Sequence, residues 1–134
     1  MKLVVFGLTV SSSWGNGHAT LWRALAGGLA ELGHELVFFE RDVPYYALYR
    51  DLFEIRGGQL RLYADWASVR DEARRELERA DVGMITSYCP DAQAATDLVL
   101  DSQVPIRSFY DMDTPVTLDR LAAGESVPER GSNE

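Results

Sequence analysis

Leu3-Val4-Val5-Phe6-Gly7-Leu8, then Leu21-Trp22-Arg23-Ala24-Leu25-Ala26-Gly27-Gly28-Leu29-Ala30-Glu31-Leu32-Gly33, then Leu36-Val37-Phe38-Phe39 is the stretch that decides the fold. The first and last pieces are continuous apolar runs, as strands buried on both faces of a sheet should be. Between them Leu21, Leu25, Leu29 and Leu32 recur at helical spacing, with Trp22 and Ala26 widening the stripe. Gly33 stands where a helix ends in a left-handed cap. Residues 3–39 therefore read as one βαβ unit, whose crossover is right-handed in nearly all known cases.

Working outward, the same alternation continues. Residues 41–58 carry a mixed signal: Pro44 opens a short helix expected to reach Leu52, with Tyr45, Leu48 and Leu52 on one side, and Gly57-Gly58 breaks it. Residues 60–63 form a short strand candidate. Asp65 is a candidate N-cap for a helix to about Arg79, whose thin stripe of Trp66, Val69, Ala73 and Leu77 places it on the surface. Residues 82–87 read as a strand, 91–100 as a helix with Ala94, Ala95, Leu98 and Val99 inward, and 104–110 as a further strand. Asp113 or Thr114 then caps a helix with Pro115 in its first turn, fading by Ala123. Residues 124–134 hold almost nothing apolar and are expected to be disordered. The expectation is a single α/β domain over 1–123, a Rossmann-like parallel sheet flanked by helices.

Composition narrows the function classes. Net charge is −8, from 21 acidic and 13 basic residues. Such a chain repels phosphate backbones and anionic lipid, so neither nucleic acid nor a membrane surface is expected as partner. No apolar run approaches the roughly 20 residues that cross a bilayer, and no small-residue cleavage site closes the apolar start. A cytoplasmic protein is expected. Cys89 is the one cysteine. It permits no internal disulfide and no cysteine-based metal cluster, and no metal site is expected.

In a parallel sheet ligands gather beyond the carboxyl ends of the strands. Those ends carry Ser11-Ser12-Ser13-Trp14-Gly15-Asn16-Gly17-His18, Glu40-Arg41-Asp42, Ser87-Tyr88-Cys89-Pro90-Asp91 and Asp111-Met112-Asp113-Thr114-Pro115. Gly15 and Gly17 allow close backbone approach to a ligand, and Gly17 precedes a helix whose first amides attract negative charge. This is not the dinucleotide fingerprint, because Thr20 stands at the third glycine and the loop is too long. A turn that merely redirects the chain is the alternative reading.

His18, at the start of the first helix, lies in the helix dipole's positive field, which favours the neutral imidazole a general base requires. A local hydrogen bond at a helix start accounts for it equally well. Asp111 and Asp113 are placed to orient His18 or hold an acceptor hydroxyl, though residues two apart on an extended segment share a face only if the chain bends, and Asp113 also suits a cap. Glu40 stands 23 positions after Gly17, the place of a ribose-binding carboxylate, with Arg41 as a possible ion partner. Trp14, Tyr45, Tyr46 and Tyr88 offer flat faces for a sugar ring or for packing. Ser13, Asn16 and Thr114 complete the candidate binding set. Cys89 reads as an inert packed thiol, and His34 as structural.

These segments resemble a known family. Residues 3–17 followed by His18-Ala19-Thr20, the passage Leu32-Gly33-His34-Glu35-Leu36-Val37, Phe39-Glu40-Arg41-Asp42-Val43-Pro44-Tyr45-Tyr46, Ser87-Tyr88-Cys89-Pro90-Asp91 and Phe109-Tyr110-Asp111-Met112-Asp113-Thr114-Pro115-Val116-Thr117-Leu118 look like the N-terminal domain of GT-B glycosyltransferases, in the bacterial group related to spore-maturation glycosyltransferases. The likeness covers residues 2 to about 122. It implies two Rossmann-like halves facing across a cleft, the N-terminal half holding the sugar acceptor and the C-terminal half most of the nucleotide-sugar donor. It implies a base at His18, steered by Asp111 or Asp113, with no cofactor held by this half itself. A chain carrying only the first half is expected to be incomplete for catalysis alone. Its uncovered apolar face is then expected to meet a C-terminal domain or a second copy in a homo-oligomer. Two other classes stay open: a stand-alone ligand-binding or oligomerisation module, and a nucleotide-dependent oxidoreductase domain, which the broken glycine pattern disfavours.

Overall fold

Alternation along a strand sends successive side chains to opposite faces, so strands buried on both sides need a cover on each. The computed structural model describes residues 1–12 and 18–110, apart from the side chains of His18, Tyr45 and Tyr46. The expected helix at 115–123 and the tail lie outside the described residues. Five strands, β1 (Lys2–Gly7), β2 (Glu35–Arg41), β3 (Gln59–Tyr63), β4 (Val82–Thr86) and β5 (Ile106–Tyr110), form one sheet in the order β3-β2-β1-β4-β5. Every pairing is parallel. The helices are α1 (His18–Glu31), the one-turn α2 (Pro44–Ala47), α3 (Trp66–Glu78) and α4 (Ala92–Asp101). The fold is α/β, as the alternation of patterns led one to expect.

Chain direction across the sheet reverses at β1, and the covering elements change face with it. Val5, Val10, Leu36 and Phe38 pack with Trp22 and Ala26 of α1 and with Ile55 on one face. On the other, Val4, Phe6, Val37, Phe39 and Ile85 pack with Val69, Ala73 and Leu77 of α3 and Ala95, Leu98 and Val99 of α4. Parallel stacking of Phe6 on Phe39, with centroids 5.2 Å apart, joins β1 to β2 beneath Trp66.

Three local expectations are corrected. In α1 the residues turned to the sheet are Ala19, Trp22 and Ala26, whereas Leu25 is 38% exposed and Leu32 74%. The leucine stripe is thus one flank of the helix rather than its buried centre. The helix opened by Pro44 stops at Ala47, leaving Leu48 exposed. The amides of both Asp51 and Leu52 donate to the Ser11 carbonyl (2.9 and 3.0 Å), a long-range demand that further helix would deny. Finally, α3 is not a peripheral surface helix: Val69, Ala73 and Leu77 sit in the main core, and Asp65 caps it by accepting from Ser68 N.

A second buried feature of α3 clamps the amino edge of the sheet. Glu76 is 3% exposed. It accepts from Lys2 Nζ at 2.7 Å, Arg79 at 2.7 Å and Arg61 at 3.2 Å, joining β1, β3 and the end of α3. Burial by itself would raise the carboxyl's pKa, but the hydrogen bonds and charges of Lys2 and Arg79 outweigh it and hold it below its ordinary value. A carboxyl depressed in the folded state stabilises above the unfolded-state pKa of about 4.3, and loses that contribution as pH falls through the lower folded value. Glu76→Gln should therefore lower stability at pH 7, and the gap to wild type should narrow at about pH 3. Urea unfolding at the two pH values checks it, and an unchanged gap would contradict the assignment.

Candidate functional site

Because all strands are parallel, the carboxyl ends of β1 to β5 share one rim, and α1, α3 and α4 all begin there. The reversal at β1 opens a crevice between the carboxyl ends of β1 and β4, the usual seat of a ligand in open parallel sheets. At its mouth β1 ends on Gly7. A Cβ there would stand 2.5 Å from Phe38 Cζ and 3.0 Å from Thr86 Oγ1, so only glycine fits between β2 and β4.

The loop after β1 is held from beneath by Glu40. This side chain at the end of β2 is fully buried. One carboxylate oxygen accepts from the amides of Val10 (2.7 Å) and Ser11 (3.0 Å), and the other from the Ser11 hydroxyl. Arg50 lies 4.0 Å from Glu40 Oε2, donates its Nε to Ser11 Oγ at 3.0 Å and reaches Asp42 at 2.9 Å. Arg23 of α1 donates to the Val10 carbonyl at 3.0 Å and pairs with Asp51. Glu40 is thus occupied with shaping the loop.

Its expected partner, Arg41, points the other way. Adjacent strand residues face opposite sides of the sheet, and Arg41 instead reaches Asp91, with 3.4 Å between Nη1 and Oδ1. Asp91 also accepts from the Tyr63 hydroxyl at 2.8 Å. Burial first, then the neighbouring Cys89 and Asp91, push the Tyr63 phenol well above its ordinary pKa despite the counter-pull of Arg41. It stays a proton donor. Committed to Tyr63 and Arg41, the Asp91 side chain makes no capping bond to α4.

Between the two clusters lies Tyr88, a non-glycine residue in the left-handed region at φ 64°. A bulky residue held there costs on the order of 1–2 kcal/mol and marks a segment whose path its surroundings dictate. The Ser87 amide binds the Tyr110 carbonyl at 2.9 Å, tying this segment to the end of β5. Cys89 is buried in the core beside it.

Of the sequence-derived candidates, Ser13, Trp14, Gly15, Asn16, Gly17, Asp111, Asp113 and Thr114 lie outside the described residues. The backbone of His18 opens α1 at the rim. Tyr110, which immediately precedes Asp111, has its ring centroid 6.0 Å from that of Trp22, one helical turn along α1 from His18. Sequence reasoning missed Arg50 and Tyr63, whose partners lie 39 and 28 residues away. Strict parity along residues 40 and 41 was the available sign that Glu40 and Arg41 serve different faces. Among the described residues no group of three or more His, Cys, Asp or Glu could hold a metal ion, and no helix is long and apolar enough to cross a membrane.

Comparison of the chain with family models, with curated proteins and with solved structures finds no match.

Removing the Glu40 carboxylate strands two buried amides and a hydroxyl, each worth about 1–3 kcal/mol if left unsatisfied. Glu40→Ala should destabilise by about 3 kcal/mol, and by more than Glu40→Gln, which keeps one acceptor oxygen. Chemical denaturation of both variants measures this; equal losses would mean the carbonyl-type acceptor is not what holds the loop.

Proposed function

We propose that this chain is the acceptor-binding half of a nucleotide-sugar-dependent glycosyltransferase of GT-B type. One observation supports the reading above the others. The start of α1, with His18, and the end of β5, leading into Asp111, occupy the same rim, and Trp22 and Tyr110 are 6.0 Å apart. A base and its orienting carboxylate must come from neighbouring segments, and these two are neighbours.

In this reading the His18 imidazole takes the proton of an acceptor hydroxyl as its oxygen attacks the anomeric carbon of the donor sugar. The bond from that carbon to the nucleoside diphosphate breaks, and the diphosphate leaves with the electron pair. Asp111 or Asp113 holds the imidazole tautomer that presents a free nitrogen to the acceptor. The loop of residues 13–17 cradles sugar or phosphate, with Tyr88 and Thr114 lining the acceptor side. Glu40 contributes as a positioning residue, through Val10 and Ser11. The donor diphosphate is held by a second domain, so turnover requires it.

The test is a titration of isotopically labelled protein, followed by amide chemical shifts, with methyl glycosides, nucleoside-diphosphate sugars and NAD. Glycosides should perturb residues 9–12, 18–20 and 87–89, and His18→Ala should weaken that binding about tenfold, the loss of one hydrogen bond. Tight NAD binding would remove the glycosyl reading. Binding of no ligand, together with a stable dimer, would favour a stand-alone oligomerisation module.

A further inference from the structure

Helix α1 is covered on one flank only. At about 100° per residue, Ala19, Trp22 and Ala26 face the sheet, Arg23, Gly27 and Ala30 lie to one side, and Leu21, Leu25, Leu29 and Leu32 to the other. The first side is closed by the segment before β3. Arg23 pairs with Asp51, Gly27 shares a concavity with Leu52 and Ile55, and a Cβ on Gly57 would stand 2.9 Å from Ala30 Cβ. The leucine side faces the strip of sheet formed by β4 and β5, where Val82 pairs with Ile106, Met84 with Ser108 and Thr86 with Tyr110. Both α3 and α4 pack on the opposite face. Leu25 is 38% and Ile106 47% exposed, leaving an apolar trough with walls of leucine and a floor of β4–β5 side chains.

We propose that this trough is the seat of the chain's own residues 115–123. Three observations select that occupant. First, β5 delivers the chain to the upper end of the trough, with Tyr110 against Trp22. Second, Leu118, Leu121 and Ala122 follow at helical spacing behind the Asp113-Thr114-Pro115 start signal. A helix over 115–123 is about 14 Å long, matching the roughly 16 Å of a five-residue strand such as β5. Third, the Trp22 indole N–H is buried with no hydrogen-bond partner among the described residues. A buried donor of this kind is rarely left unpaired. Residues 111–114, which must pass above it to reach the trough, bring carboxylate, hydroxyl and backbone oxygens. Docking therefore also anchors Asp111 and Asp113 beside the first turn of α1. It requires no ligand and stands whether or not the glycosyl reading does.

Hydrogen exchange on the full chain gives the first test. Amides of 116–122 should exchange at least about tenfold more slowly than those of 125–134, and Leu25→Asp, at a half-exposed position that folding tolerates, should erase most of that protection. Fast exchange of 116–122, or protection indifferent to Leu25→Asp, would overturn the proposal. The second test separates this occupant from a second copy. Leu25→Cys with Leu121→Cys, in a Cys89→Ser background, should form an intramolecular disulfide under mild oxidation. A covalent dimer in its place would assign the trough to another molecule and overturn the proposal.

Discussion

A carboxylate sealed from water must be satisfied by the protein around it, and the price of failure is several kcal/mol. Glu40 is that group here. Its oxygens gather the Val10 and Ser11 amides and the Ser11 hydroxyl, with Arg50 at 4.0 Å. The consequence is geometric. The loop after β1 cannot leave the sheet in an arbitrary direction; it is drawn across the end of β2 before turning into α1. The Ser11 carbonyl then fixes residues 51–52, so the α2 region takes its path from the same point. One side chain thus sets the entrance of the first helix, the end of the second and the shape of the rim between them.

The rim has two chemically different sides because residues 40 and 41 face opposite ways. On the α1 side, Glu40, Arg50 and Ser11 form a closed, internally satisfied network under the first loop. On the α3–α4 side, Arg41, Asp91 and Tyr63 form a partly open one, with the Arg41 side chain 40% exposed. Between them the backbone at Tyr88 is held in a left-handed turn and bonded to β5 through Ser87. A ligand in the crevice would meet a rigid loop on one side and a chargeable, adjustable edge on the other. Rigidity matters most where a reacting group must be aimed, since small misplacements cost large factors in rate.

How much of this was legible follows from the range of each interaction. The strands were readable because two-sided burial demands unbroken apolar runs such as Val4-Val5-Phe6 and Leu36-Val37-Phe38-Phe39, a property each segment carries by itself. The Asp65 cap was readable because its partner, Ser68, is three residues away. By contrast, the length of α2 depends on a carbonyl some forty residues upstream, and Arg41 finds its partner fifty residues downstream. Local pattern holds no record of such pairings. The leucines of α1 show the intermediate case: their period correctly announced a helix, but period does not say which flank meets the sheet. Of the candidate site, the rim's composition was visible, while the division of labour between Glu40 and Arg41 required coordinates.

That misread flank has its own logic. A helix lying on a sheet with strands to both sides needs a narrow, small-residue centre so that it can approach, which Ala19 and Ala26 provide around Trp22. Larger side chains then belong at the edges, where they fill the angles between helix and neighbouring elements. On the side of Arg23 the angle is filled by the segment running through Leu52 and Ile55. On the side of Leu21, Leu25 and Leu29 the residues have the size and polarity of a filled angle, and the floor beneath includes Met84, partly buried against the same cluster. Leucine exposed at this density is consistent with water only if something apolar normally sits against it. The trough is therefore part of the design of the α1 face, and the polar rim above it is continuous with whatever fills it.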